Sequence, residues 1–509
     1  MRLIPSLALV CIGVSAQAEP VFSAAERAKL VSFWNAPGRY RVSLPPEAAK
    51  TGPWQVRLTP EASLWFHKYQ ATLGLGKIAP TQDAKNTNGQ GWETWIEAKL
   101  AYDRWVAQQA ADAANAALPG EKTKPNGNGN SVKATAAPQN GNGKPTKRTT
   151  PPPPGPIPES LRAAVGNPPP FAAPVTPLLH VITFDDNESY SYPDHVLMRP
   201  RYAYYRFPQG TVAYGTFLKD MPDAELNALF ADAGMTPSEQ RIMKAVSKLE
   251  GGFETVNTYD TGFVSIGFIQ CITWDDGRGS LIDVMLRQRV DDPASYARDF
   301  RAFGIDVDPT GTITIVDPGT GAELVGPDAV QKIIADKRLT AVFQKAGRHS
   351  RAFRIAQIKI AKSRYWPAND PVSVTINGRV LTGNVSDIIK SEAGMATLFD
   401  RKVNRGNIAP FVDVVTKVMT ERQLTELAAV PAYEKEIVAA LKYRVDFLTD
   451  KSLSQPPDPP APPGEMEWFE EMPIEEQPVD TSAGPLLLMT VATLLCQLRF
   501  GRVTRRKNR

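Results

Sequence analysis

Apolar and polar positions change period several times along the chain. Over residues 40–58 they alternate with a period near two, with Pro-Gly punctuation, which predicts short strands. Further on, Trp92, Trp95, Ala98, Tyr102 and Trp105 recur at helical spacing. The sharpest helix start is Thr236-Pro237-Ser238-Glu239, with a threonine N-cap, a proline at the first helical position and a glutamate three residues after the cap. Ile242, Met243, Val246 and Leu249 then form one apolar face, and Gly251-Gly252 predicts a left-handed stop just after Glu250. Residues 257–270 combine turn residues with short alternating runs, the pattern of a β-hairpin. Two more hairpins are predicted at 312–316 and at 372–381 around Asn377-Gly378. A later helix carries Ile388, Ile389, Met395, Leu398, Phe399 and Val403 on its apolar side.

Composition narrows the class. The 509 residues leave room for two or three domains, and 42% hydrophobic with 22% charged residues excludes both a polytopic membrane protein and a wholly disordered chain. The 58 basic and 54 acidic residues give a net charge of +4, too balanced for nucleic acid as the main partner. The 45 prolines are about twice the ordinary share and gather in linker-like stretches.

Residues 1–18 read as a cleavable export signal: Arg2, an apolar run and an Ala16-Gln17-Ala18 exit, which sends the mature chain to the periplasm or cell surface. Residues 19–118 hold six of the nine tryptophans and read as a separate small domain, its aromatics expected in a core, with sugar stacking as the alternative. Residues 119–178, rich in Asn-Gly and then in proline, read as a linker, and 179–453 as a second folded region. A Pro-rich acidic linker at 454–483 precedes a hydrophobic tail at 484–509 that ends in six basic residues. That tail reads as a membrane anchor or a processed sorting signal.

The chemistry concentrates in residues 236–270. A carboxylate at the negative end of a helix is disfavoured, and partial burial raises its pKa further, so Glu250 is placed to be protonated near neutral pH and to protonate a leaving glycosidic oxygen. A hairpin would carry Asp260 and Ser265 back towards it, where a second carboxylate and a hydroxyl can hold water or stabilise an oxocarbenium-like transition state. Tyr259 and Gln270 are the adjoining substrate-binding candidates. The four histidines are scattered without ligand spacing and Cys271 has no histidine near it in sequence, so neither metal nor cofactor is expected.

Glu250-Gly251, Asp260-Thr261, Gly262 and Ser265-Ile266-Gly267 resemble the lysozyme-like superfamily, phage-type lysozymes in particular, with serine where the family has threonine. Gly267-Phe268-Ile269-Gln270 is similar to the Gly-Leu-Met-Gln motif of lytic transglycosylases, and Asp400 to Gly406 to a helix that packs beneath the cleft in such hydrolases. The resemblance spans about residues 236–410. It implies an α+β fold, a mainly helical domain with a small β-hairpin lobe, beside the separate Trp-rich domain. It also implies cleavage of a β-1,4-linked amino-sugar polymer, peptidoglycan first, by hydrolysis or transglycosylation. The alternative is a non-catalytic envelope glycan-binding or scaffold protein.

Overall fold

The computed structural model describes residues 20–73, 91–118, 150–248 and 251–460. The expected export signal, the Asn-Gly part of the expected linker, Glu250, the acidic segment beyond Pro460 and the hydrophobic tail lie outside the described residues. The fold is α+β, with many helices and small antiparallel sheets.

Helix α1 (Ala24–Trp34) starts at a capping box in which Ser23 and Glu26 satisfy each other's backbone N–H groups. It delivers Trp34, 1% exposed, to the core against Phe184. Strands β1 (Tyr40–Ser43) and β2 (Gln55–Leu58) follow, then helices α2 (Pro60–Thr72), α3 (Trp92–Ala116) and α4 (Glu159–Val165). Strands β3 (Ala172–Val175), β4 (Leu179–Thr183) and β5 (Ser189–Pro193) come next. β1 pairs with β4, Tyr40 opposite Ile182, and β2 pairs with β3, Leu58 opposite Ala172.

The Trp-rich segment is therefore not a separate domain. Its strands complete sheets whose other members lie well over a hundred residues downstream, and a detached β4 would expose an unpaired edge. Nor are residues 150–178 a linker. The indole N–H groups of Trp65, Trp92 and Trp95 donate to Gly166 O, Ser160 Oγ and Gly155 O at 3.1, 2.9 and 2.8 Å, and Leu161 and Phe171 are buried. Trp34, Trp65 and Trp92 fill the core, which meets the core expectation for these aromatics.

The chain continues through β6 (Val212–Ala213), α5 (Asp223–Asp232) and α6 (Pro237–Ser247). The predicted capping box of α6 is present: Thr236 Oγ1 accepts the Glu239 N–H, and the Glu239 carboxylate accepts the Thr236 N–H. The expected helix stop is not as read. α6 ends at Ser247, and neither Gly251 nor Gly252 has a positive φ. These glycines serve close approach instead, since a Cβ on Gly252 would overlap the Thr216 carbonyl oxygen and one on Gly251 the Thr255 hydroxyl. Strands β7 (Val256–Asn257), β8 (Ser265–Ile266) and β9 (Cys271–Ile272) then form a sheet in the order β6-β7-β8-β9, with the hairpin at 257–270 in place.

Helices α7 (Ser280–Asp291), α8 (Lys337–His349) and α9 (Arg351–Tyr365) build the main core with Val246, Ile266, Phe268, Leu281, Phe343 and Phe353. The hairpin of β10 (Pro371–Ile376) and β11 (Arg379–Asn384) turns at Asn377 and Gly378, φ +49° and +77°, the left-handed pair that Asn-Gly signals. Helix α10 (Glu392–Arg405) starts at Ser391 and stops at Gly406, φ +75°. Glu392, at its first residue, takes Arg241 on one side and exchanges hydrogen bonds with Ser454 on the other. Residues 454–459 thus belong to the fold, and the expected acidic linker beyond Pro460 lies outside the described residues.

A Gly252→Ala substitution should destabilise the protein by about 3 kcal/mol, because the obstructing atom is backbone and cannot move aside. Gly155→Ala, with nothing within 4 Å of its added Cβ, should change stability by no more than about 0.5 kcal/mol. Urea denaturation of the two variants checks both values.

Candidate functional site

A cleft of about 660 Å³ opens where the loop between β7 and β8 faces the C-terminal end of α10. The loop is held from several sides. Thr258 exchanges backbone and side-chain hydrogen bonds with Thr211, both at 2.9 Å, and the Tyr259 carbonyl accepts the N–H groups of Arg206 and Phe207 at 2.8 and 3.1 Å. Gly210 passes so close to Thr258 that a Cβ there would overlap its carbonyl.

Asp260 sits in this turn. Its Oδ1 accepts the Gly262 N–H at 2.8 Å and its Oδ2 accepts the Asn257 amide at 2.7 Å. Burial raises its pKa above the ordinary aspartate value, and these two hydrogen bonds and the nearby Arg206 charge oppose the rise only in part. Ser265, in β8 opposite Asn257, is buried beside it. A Cβ on Gly262 would lie 2.5 Å from Ser265 Oγ and 3.1 Å from Asp260 Oδ1, so the hydroxyl and the carboxylate flank one glycine, which leaves room for both.

Tyr259 and Gln270 line the same cleft. Tyr259 packs its ring against Tyr202 at 5.9 Å, and burial pushes its phenol up to about 12, so it is neutral and able to donate. Gln270, at φ +54°, donates its amide to Gly267 O at 2.8 Å and holds its own turn. Glu250 lies outside the described residues. Gly251, covalently next to it, packs on Thr255, which lines the cleft and donates its hydroxyl to Tyr214 O at 2.6 Å. The nearby Glu254 is buried, accepts the Thr216 N–H at 2.9 Å and pairs with Arg348 at 2.5 Å, which commits it to structure.

Most of the aromatic lining was missed in the sequence reading. Trp274 and Tyr214 are 50% and 52% exposed, Tyr214 with one ring face stacked on Phe217, and Tyr202, Tyr204 and Tyr365 line the cleft with them. The run Tyr202-Ala203-Tyr204-Tyr205 carried a signal: alternate residues 202 and 204 face the cleft while Tyr205 enters the core. His67 of α2 stands edge-on to Tyr204 at 5.8 Å, and burial followed by the charge of Arg206 lowers its pKa. Val403 and Asn404 bring α10 into the lining, so the Asp400–Gly406 helix end lies at the cleft. Asn404 donates its amide to Asp400 O at 2.9 Å.

Among the described residues no cluster of three or more His, Cys, Asp or Glu is arranged to hold a metal ion. Cys271 is buried, and burial pushes its thiol up to about 12, which leaves it unreactive at neutral pH. No protein-family model, curated protein or solved structure matches the chain.

The raised Asp260 pKa has a definite sign for stability. The folded state holds this proton more tightly than the unfolded chain, so the contribution is present below the unfolded value near ~4 and is lost as pH rises through the folded value. Asp260→Asn adds a pH-independent change, since its amide can accept from only one of the two donors. On top of that offset, wild type should lose stability relative to Asp260→Asn as pH rises above about 4. Urea midpoints of both proteins from pH 4 to 8 measure this; a constant difference across the range would show that Asp260 is not perturbed.

Proposed function

We propose that the protein is an exported glycan-cleaving enzyme with a lysozyme-like domain, acting on a β-1,4-linked amino-sugar polymer, most naturally peptidoglycan. The observation that carries this reading is the Asp260–Ser265 pair on a rigid hairpin turn in a cleft walled by aromatic rings. Tyr214 and Trp274 offer faces on which the apolar sides of sugar rings stack. Asp260 is the only acidic side chain among the described residues lining the cleft. Poorly solvated and fixed by two donors, its carboxylate gains most when positive charge develops on a sugar next to it.

In this reading Glu250 protonates the scissile oxygen. Asp260 stabilises the developing cation or, with Ser265, holds the attacking water. Tyr259 donates to a sugar hydroxyl, and Gln270 shapes the subsite. The signal at 1–18 exports the chain and the tail at 484–509 anchors it to the membrane, with the basic residues left inside.

The full-length protein should release new sugar ends from purified peptidoglycan. Glu250→Gln should lower that rate by about a hundredfold or more while the glycan still binds, because the amide keeps the shape but has no proton to give. A folded, fully active Glu250→Gln protein removes Glu250 from the mechanism. Binding without cleavage by the wild-type protein supports the scaffold reading instead. Anhydro-sugar products, with Asp260→Asn nearly as active as wild type, assign transglycosylation.

Deleting residues 484–509 should move an active protein from the membrane fraction to the soluble fraction. A full-length mature protein that already fractionates as soluble with its C-terminus intact refutes the anchor.

A further inference from the structure

The C-terminal end of α10 carries positive charge that the described residues leave uncompensated. Arg405 follows the cleft residue Asn404, is exposed, and has no carboxylate partner among the described residues. Its guanidinium lies 4.7 Å from the centre of the Tyr443 ring, and that of Arg401 lies 5.4 Å from the same ring. Arg401 spends its N–H groups on the Ala409 and Leu441 carbonyls, 3.2 and 2.8 Å away, and makes no direct ion pair among the described residues, with Asp400 acting on it only at longer range. The neighbouring acids are occupied elsewhere: Asp400 by Arg444 and Asn404, and Asp370 by Lys402.

Two like charges against one ring repel each other. Burial first, and then the charge of Arg405, lowers the Arg401 pKa. Arg405 directly follows Asn404, which lines the cleft, so the helix end that bears the arginine pair lies at the cleft, the pair itself standing just outside its lining.

We propose that Arg405, held on Tyr443 with Arg401 behind it, is a specificity subsite for a carboxylate substituent on the glycan. The proposal rests on the reading of the cleft as a glycan site. A planar guanidinium with free N–H groups, fixed by stacking, pairs with a carboxylate in two parallel hydrogen bonds, and the incoming anion also relieves the repulsion between the two cations. The enzyme would thereby select acidic glycans over neutral ones such as chitin. A purely structural account also exists, since a cation in the last turn of a helix complements its dipole. That role affects stability alone and confers no preference for carboxylates.

The test uses the full-length protein, peptidoglycan strands freed of phosphate-containing polymers, and the same strands with their carboxylates converted to amides. Wild type should bind the free-carboxylate strands about tenfold more tightly than the amidated ones, the gain of one charge-assisted pair. Arg405→Gln and Tyr443→Leu should abolish the preference without altering binding to the amidated strands, and Arg405→Lys should restore part of it. Equal binding of both strands by wild type, or a preference retained in a folded Arg405→Gln variant, overturns the proposal. Because binding is the readout, its failure is distinct from failure of the catalytic reading, which is scored by new sugar ends.

Discussion

Everything at the cleft depends on one close passage of backbone past backbone. Residues 251–255 run between the 214–217 segment and α8, and glycine is required on both sides: Gly252 against the Thr216 carbonyl, Gly347 against Phe253 O. Polar side chains then fasten what the glycines allow. Glu254 takes the Thr216 N–H and Arg348, while Thr255 Oγ1 accepts the Gly252 N–H and donates to Tyr214 O. The strand that follows inherits this placement, so the height of β7 in its sheet, and with it the turn that bears Asp260, is set by contacts that precede the turn.

The walls come from distant parts of the chain. His67 is on α2, and its neighbours Tyr202 and Tyr204 lie on a segment fastened to the same helix, with Ser63 Oγ donating to Tyr202 O at 2.6 Å. The Trp-rich region therefore has a double role. Its indoles hold residues 155–166, and His67 on its outer surface lines the cleft. An element that looks like an accessory module from its composition supplies part of the site.

What was legible in the sequence was local. The Thr236–Glu239 capping box, the Asn377-Gly378 turn and the hairpin around Asp260 each need only a few adjacent residues, and each is present. Asp260, Ser265, Tyr259 and Gln270 were found because their hairpin is such a unit, and all four line one cleft. What was not legible was long-range. The partner of Tyr40 in its sheet is Ile182, and no pattern within 40–58 reveals it. Gly251-Gly252 shows why composition misleads: a glycine pair after a helix serves a left-handed turn or a close contact equally well, and only the position of Thr216 decides. The prolines at 151–170 carried the same ambiguity, since an extended segment can lie against tryptophans as readily as it can span solvent.

Charge placement gives the cleft its chemical character. Around it, Glu254 is neutralised by Arg348, Asp400 by Arg444 and Asp283 by Arg364, each through a direct pair. Paired charges largely cancel beyond a few ångströms, and solvent screens what is left over a Debye length of about 8 Å. Among the described residues, the charges that remain are Asp260 at the turn, with Arg206 near it, and the Arg401–Arg405 pair at the end of α10. A substrate that brings positive charge to the turn only as it reacts, and a fixed negative charge to the helix end throughout, is complementary to both. A neutral sugar chain meets only the first of these demands. On the proposed reading of the cleft as a glycan site, the same polarity would also set an orientation: an acidic substituent at the helix end would fix which way the strand lies and place the reacting bond beside the poorly solvated carboxylate.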